Sequence, residues 1–104
     1  MKLKIPEPIN FEWDEGNWDK NLKHKVYANE AEEIFFNEPI VLLPDKKHST
    51  SEEARFHALG KTNKGRKLLI VFTIKEDKIR IISARDMDNK ERLRYAQTKA
   101  KKNT

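Results

Sequence analysis

The spacing of apolar and polar residues changes several times along this chain, and each change predicts an element boundary. Ile9-Asn-Phe-Glu-Trp13 alternates like a short strand. Asp14 is placed to cap a charged helix over residues 15–25, on which Trp18 and Leu22 form a narrow apolar stripe. A second helix is predicted within Tyr27 to Phe36: Asn29 can cap it, Ala31, Ile34 and Phe35 share a face, and Pro39 prevents its continuation. Ile40 to Leu43 is then a short apolar run ended by Pro44, and a polar loop covers Asp45 to Ser51. Glu53 to Leu59 alternates, with Ala54, Phe56 and Ala58 on one face and Glu53, Arg55 and His57 on the other. Lys61 to Arg66 reads as a turn. Lys67 to Ile74 and Lys78 to Ala84 read as two strong strands joined as a hairpin through Lys75-Glu-Asp-Lys78. Asp88 or Asn89 starts a final helix. The order β-α-α-β-β-β-β-α predicts an α+β fold: a small antiparallel β-sheet with two N-terminal helices and one C-terminal helix, the helices collected on one side. Residues 1–104 are expected to form a single domain with its core at about 9–97, and the ends 1–8 and 99–104 are expected to be flexible.

Charge changes this picture more than composition does. The net charge of +5 is distributed unevenly: residues 1–44 carry −4, residues 45–84 carry +5 and residues 85–104 carry +4. A polyanion is the natural partner for such a basic C-terminal part, either nucleic acid or an acidic protein that imitates it. The absence of cysteine excludes disulfides and thiolate metal sites. No run approaches the roughly 18 apolar residues of a membrane span and no signal-peptide pattern is seen, so a soluble, cytoplasmic protein with no membrane contact is expected. There is no Gly-rich phosphate loop and no HExxH or EF-hand spacing, and His24, His48 and His57 are scattered. Neither a cofactor nor a metal site is expected.

The candidate chemistry therefore rests on side chains alone. Alternation along Lys78–Arg85 puts Ile79, Ile81, Ser83 and Arg85 on one face and Arg80, Ile82 and Ala84 on the other. Arg85 at the strand's exit can clamp a phosphate bidentately, or can cap the sheet by pairing with Glu91 or Asp88. Met87, Glu91 and Tyr95 recur every four residues on the final helix, giving either a packed stripe or a phenol and a carboxylate for a ligand. Lys20, Lys23 and His24 fall on one helix face, suited to phosphate contacts or simply to the helix dipole.

These residues also follow a family pattern. Trp13-Asp14, Lys20-Asn21, Lys23-His24, Phe35-Phe36, Asp45 with His48-Ser49, Glu53 with Arg55, Gly60, and Ile81-Ile-Ser-Ala-Arg85 with Glu91 and Tyr95 resemble BrnT-type toxins in order and spacing, over about residues 9–97. Lys25 stands where the family usually has Gly, which suggests a differently built turn, and Asp86 stands where a small or basic residue is usual. The resemblance implies a RelE-like toxin fold and a bacterial type II toxin–antitoxin system. It implies a ribonuclease that cuts RNA, mRNA above all, inhibits translation and growth, and is neutralised in a hetero-oligomer by a BrnA-type ribbon-helix-helix antitoxin. Operator DNA would be reached only through that antitoxin. For metal-independent endoribonuclease chemistry by 2′-hydroxyl attack, the catalytic candidates are Arg85, Glu53, Arg55, His57, Glu91 and Tyr95, and the RNA-binding candidates are Lys20, Lys23, His24, Arg80 and Ser83. Arg85, helped by Arg55 or Arg80, would stabilise charge. Glu53, Glu91 or a histidine would be the base, and His24, His57 or Tyr95 the acid. The alternative is a non-catalytic basic module that acts by occupying RNA or a protein partner.

Overall fold

The computed structural model describes residues 5–13 and 24–102, with side chains to residue 98. The predicted first helix, with Lys20 and Lys23, lies outside the described residues. Five strands form one sheet: β1 (Phe11–Glu12), β2 (Val41–Pro44), β3 (Arg55–Lys61), β4 (Lys67–Lys75) and β5 (Lys78–Asp86), in the order β1-β5-β4-β3-β2. The sheet is mixed rather than purely antiparallel, because β1 pairs with β5 in parallel while the other neighbours are antiparallel. Glu76 and Asp77, at φ 52° and 62°, make the tight turn between β4 and β5. Two positive φ values in a two-residue loop match the right-handed twist of the strands it joins.

Two helices are described, α1 (Ala28–Glu33) and α2 (Asn89–Lys102), with a 3₁₀ turn at Ile34–Phe36 extending α1. The α1 cap falls earlier than expected: Glu30 Oε1 accepts the backbone N–H of Tyr27 at 3.1 Å, and Asn29 lies inside the helix. At α2, Asp88 Oδ1 accepts the N–H of Glu91 at 2.8 Å, and Glu91 Oε1 accepts that of Asp88 at 2.9 Å. This reciprocal capping box fixes where the helix starts.

The two helices pack on opposite faces of the sheet, not on one side. On the inner face, Ala31, Ile34 and Phe35 meet Ala58, Leu68, Ile70, Phe72, Ile79, Ile81 and Ala84 in the main core. Gly60 belongs there for a steric reason, since a Cβ on it would stand 2.9 Å from the Ile34 Cβ. On the outer face, Met87 and Tyr95 close over Leu59 and Leu69, with Val41 beside them. The apolar runs Ala58-Leu59 and Leu68-Leu69-Ile70 carry this signal, because a strand apolar at consecutive positions is covered on both faces.

One irregularity reorders the functional face. A β-bulge in β5 sets Phe72 opposite Ile81 but Val71 opposite Ser83, so Ile82 is the extra residue. Simple alternation breaks there, and Arg80 comes to the same face as Ser83 and Arg85 while Ile79, Ile81 and Ala84 turn to the core. The expected separation of Arg80 from Arg85 is thereby corrected.

Candidate nucleic-acid interface

Cross-strand partners share a face, so register defines the outer face row by row. One row contains Glu12, Arg80, Thr73 and Arg55; the next Ser83, Val71, His57 and Leu43; the third Arg85, Leu69, Leu59 and Val41. Tyr95 of helix α2, with Met87 just before the helix, covers the third row. The polar groups gather at its edge. A cleft of about 390 Å³ runs between sheet and helix, lined by Leu43, His57, Leu59 and Leu69 on one side and by Lys90, Glu91, Leu93, Arg94 and Gln97 on the other. Its floor is largely leucine, and its helix side carries Lys90 and Arg94 together with the carboxylate of Glu91. A larger depression of about 520 Å³, near Glu52, Glu53 and Lys75, has the wrong sign of charge for a polyanion.

Arg85 stands where β5 hands over to α2. Its Nη1 and Nη2 donate to the two carboxylate oxygens of Glu91 at 2.8 and 2.9 Å, and Nη1 also donates to the Asp86 carbonyl at 3.1 Å. The hydrogen bonds with Glu91 hold the guanidinium charged more firmly than usual, against the opposing effect of burial, and the charges of Glu91 and Asp88 add to them. Among the described residues Nε and the second Nη2 hydrogen have no acceptor, and that edge matches two phosphate oxygens. The sheet-capping pair and the phosphate clamp are thus compatible in one side chain.

The second polar centre is Asp45, buried at the end of β2. Its Oδ2 accepts from His57 Nε2 and from His48 Nδ1, each at 2.9 Å, and its Oδ1 accepts the His48 backbone N–H at 3.1 Å. Burial alone would raise its pKa, but hydrogen bonds from the His48 backbone and from both rings outweigh burial and lower it. Ser49 fastens the loop: its Oγ donates to the Asp45 carbonyl at 2.7 Å and accepts the Arg55 N–H at 2.9 Å. The sequence alone does not make Asp45 a site candidate, and it does not single out His48 from the three histidines. The available signal was Asp45-x-x-His48-Ser49 after a strand ended by proline, but joining it to His57 needs the pairing of Pro44 with Phe56.

The remaining candidates separate. Arg55 Nε donates to Glu53 Oε1 at 3.0 Å, on the outer face beyond His57. Ser83 lies in the His57 row. Tyr95 is only 2% exposed, donates its hydroxyl to the Pro39 carbonyl at 2.7 Å, and has its pKa raised by burial. It is a core residue here. His24 is exposed in a turn outside this cleft's lining. No group of three or more His, Asp or Glu among the described residues is arranged to hold a metal ion. At Lys25, where a differently built turn is expected, the backbone holds the conformation that Gly favours. Its φ is 58°, and its carbonyl accepts Arg66 Nη1 at 3.0 Å. Arg66 also pairs with Asp86 and Glu30, which gives the unusual Asp86 a partner away from Arg85.

A sheet face that carries Arg55, His57, Arg80 and Arg85, with His57 in the lining of a leucine-floored cleft bordered by Lys90 and Arg94, defines a small α+β protein suited to a polyanionic ligand. The family described as the ribonuclease toxin, BrnT, of type II toxin–antitoxin systems matches residues 13–91, and the chain belongs to it. It is therefore a ribonuclease toxin, with RNA as substrate and a cognate antitoxin as partner. No curated protein matches the chain. No helix among the described residues is long and apolar enough to cross a membrane.

Proposed function

We propose that this toxin is a metal-independent endoribonuclease of RelE-like architecture. It acts on mRNA in the cytoplasm and is neutralised by a BrnA-type ribbon-helix-helix antitoxin, through which alone it reaches operator DNA. The observation that carries this reading is the placement of Arg85 and His57 on one face beside the cleft bordered by Lys90 and Arg94. Phosphate oxygens meet the open edge of Arg85, with Arg55 and Arg80 holding the strand further along the face. His57 takes the proton of the 2′-hydroxyl, the 2′-oxygen bonds to phosphorus, and the 5′-oxygen leaves with a proton from an acid, giving a 2′,3′-cyclic phosphate and a 5′-hydroxyl. Glu91 holds Arg85 in place, and Tyr95 has no part in the reacting groups.

Arg85→Ala should lower cleavage by about 10²–10³ if the guanidinium stabilises the phosphorane. The assay is RNA cleavage by folded protein in EDTA, and an unchanged rate would remove Arg85 from the mechanism. The Arg85–Glu91 pair also favours a second reading, in which Arg85 is purely structural and the face binds RNA without cutting it. Salt-sensitive binding with no cleavage at any enzyme concentration supports that module.

A further inference from the structure

We infer that Asp45 is a positioning residue that holds His57 as its Nε2–H tautomer and thereby presents Nδ1 as the ring's proton-accepting atom. The inference deepens the ribonuclease reading and rests on it for the use of Nδ1, though not for the tautomer itself. An ionised carboxylate can only accept hydrogen bonds, so each ring nitrogen that faces it must carry a proton. For His57 that nitrogen is Nε2, at 2.9 Å from Asp45 Oδ2. In the neutral ring Nδ1 is then left with the lone pair, and no described residue hydrogen-bonds to it. For His48 the geometry is reversed, since its Nδ1 faces the same oxygen at 2.9 Å, so Nδ1 carries the proton and Nε2 the lone pair.

The two histidines are therefore held in opposite tautomers by one carboxylate. Their settings differ as well. The His57 side chain is 32% exposed and lines the cleft, whereas that of His48 is 59% exposed in the loop and absent from the cleft lining. Asp45 itself is not free to follow the rings, because its N–H donates to the Arg55 carbonyl at 2.8 Å and its carbonyl accepts from Ser49. A carboxylate fixed in this way sets both the tautomer and the orientation of the imidazole. The other charged groups near His57 are Arg55 on its own strand and Lys90, Glu91 and Arg94 across the cleft. None of them makes a hydrogen bond to the ring, so Asp45 alone among the described residues selects the tautomer.

Ring ¹⁵N–¹H correlation spectra of the full chain, recorded where all three histidines are neutral, test this directly. The expected result is Nε2–H for His57 and Nδ1–H for His48, the latter opposite to the form an unconstrained imidazole prefers. Asp45→Asn sharpens the test: with the amide oxygen in the place of Oδ1, which accepts the His48 backbone N–H and lies 3.1 Å from His48 Nδ1, the NH₂ replaces Oδ2 and faces His57 Nε2, so His57 moves to Nδ1–H while His48 keeps its signature through Oδ1. The same variant should cut RNA at least about tenfold more slowly in kcat, with KM little changed. A default Nε2–H signal for His48, a His57 tautomer unmoved by Asp45→Asn, or a wild-type kcat in that variant overturns the proposal. If Asp45→Asn fails to fold, the wild-type tautomers still decide. The predicted tautomers in a wild-type protein that cuts no RNA uphold the assignment of the rings and overturn the ribonuclease reading with its use of Nδ1.

Discussion

The two faces of the central sheet are built from alternate residues of the same strands, yet they serve different ends. The inner face is continuous hydrocarbon, with Phe72, Ile70, Ile79 and Ile81 fully buried, Phe35 meeting Phe72 edge-to-face at a ring separation of 5.2 Å and Phe56 tilted against it at 5.7 Å. The outer face is covered by α2 only over Leu59 and Leu69, and elsewhere it sets Arg55, His57, Arg80, Ser83 and Arg85 among Leu43, Val71 and Thr73. Stability is concentrated on one side of the pleat, which leaves the other side to carry charge that a core could not tolerate.

Substitutions should separate the faces, beginning with the largest effect. Phe72→Ala removes a fully buried ring from the inner face and should cost about 3–5 kcal/mol in urea denaturation. Arg85→Ala, so damaging to cleavage in the proposed mechanism, should cost about 1 kcal/mol or less in the same experiment, because the ion pair it removes is 40% exposed on the arginine side. Comparable stability losses in the two variants would break the division between faces. Arg80→Ala tests the bulge: RNA affinity should fall about three- to tenfold, and the salt slope of binding should shrink by about 0.7, as for one lost phosphate contact on a single strand. Lys25→Gly relieves a left-handed residue and should add about 1 kcal/mol of stability without altering cleavage. The smallest effect is acid sensitivity. Asp45 and Asp86 both have pKa values lowered from 3.8 in the folded state, so the stability they supply is complete above about pH 4 and is lost as pH falls through their folded values. Asp45→Asn should flatten that acid limb in pH-dependent denaturation.

The hairpin of β4 and β5 and the start of α2 could be read from residues because their causes are local: β-branched runs, a two-residue turn and an Asp88 cap. Arg85 and Glu91 could be read for the same reason, being six residues apart across one junction. Three other features depend on tertiary register. The bulge at Ile82 moves Arg80 across the sheet, and nothing in Arg-Ile-Ile-Ser announces the extra residue. The parallel pairing of β1 rests on two residues, Phe11 and Glu12, whose partners lie about seventy positions away. The Asp45–His57 contact joins residues twelve apart and depends on which strand follows the loop. For Tyr95 the spacing of every four residues leaves a packed stripe and a ligand-facing phenol both open, and the structure shows the phenol turned beneath the helix toward Pro39.

The claim that this outer face cuts RNA by internal attack without a metal is tested most directly by the chemistry of the ends it makes. Purified toxin is given an RNA oligonucleotide in EDTA, together with the same oligonucleotide carrying a single 2′-deoxy residue at the cleaved position, and the products are weighed by mass spectrometry. The account predicts cleavage of the first to a 2′,3′-cyclic phosphate and a 5′-hydroxyl, and none of the second at that position. Cleavage abolished by EDTA, or a 3′-hydroxyl facing a 5′-phosphate, would contradict it.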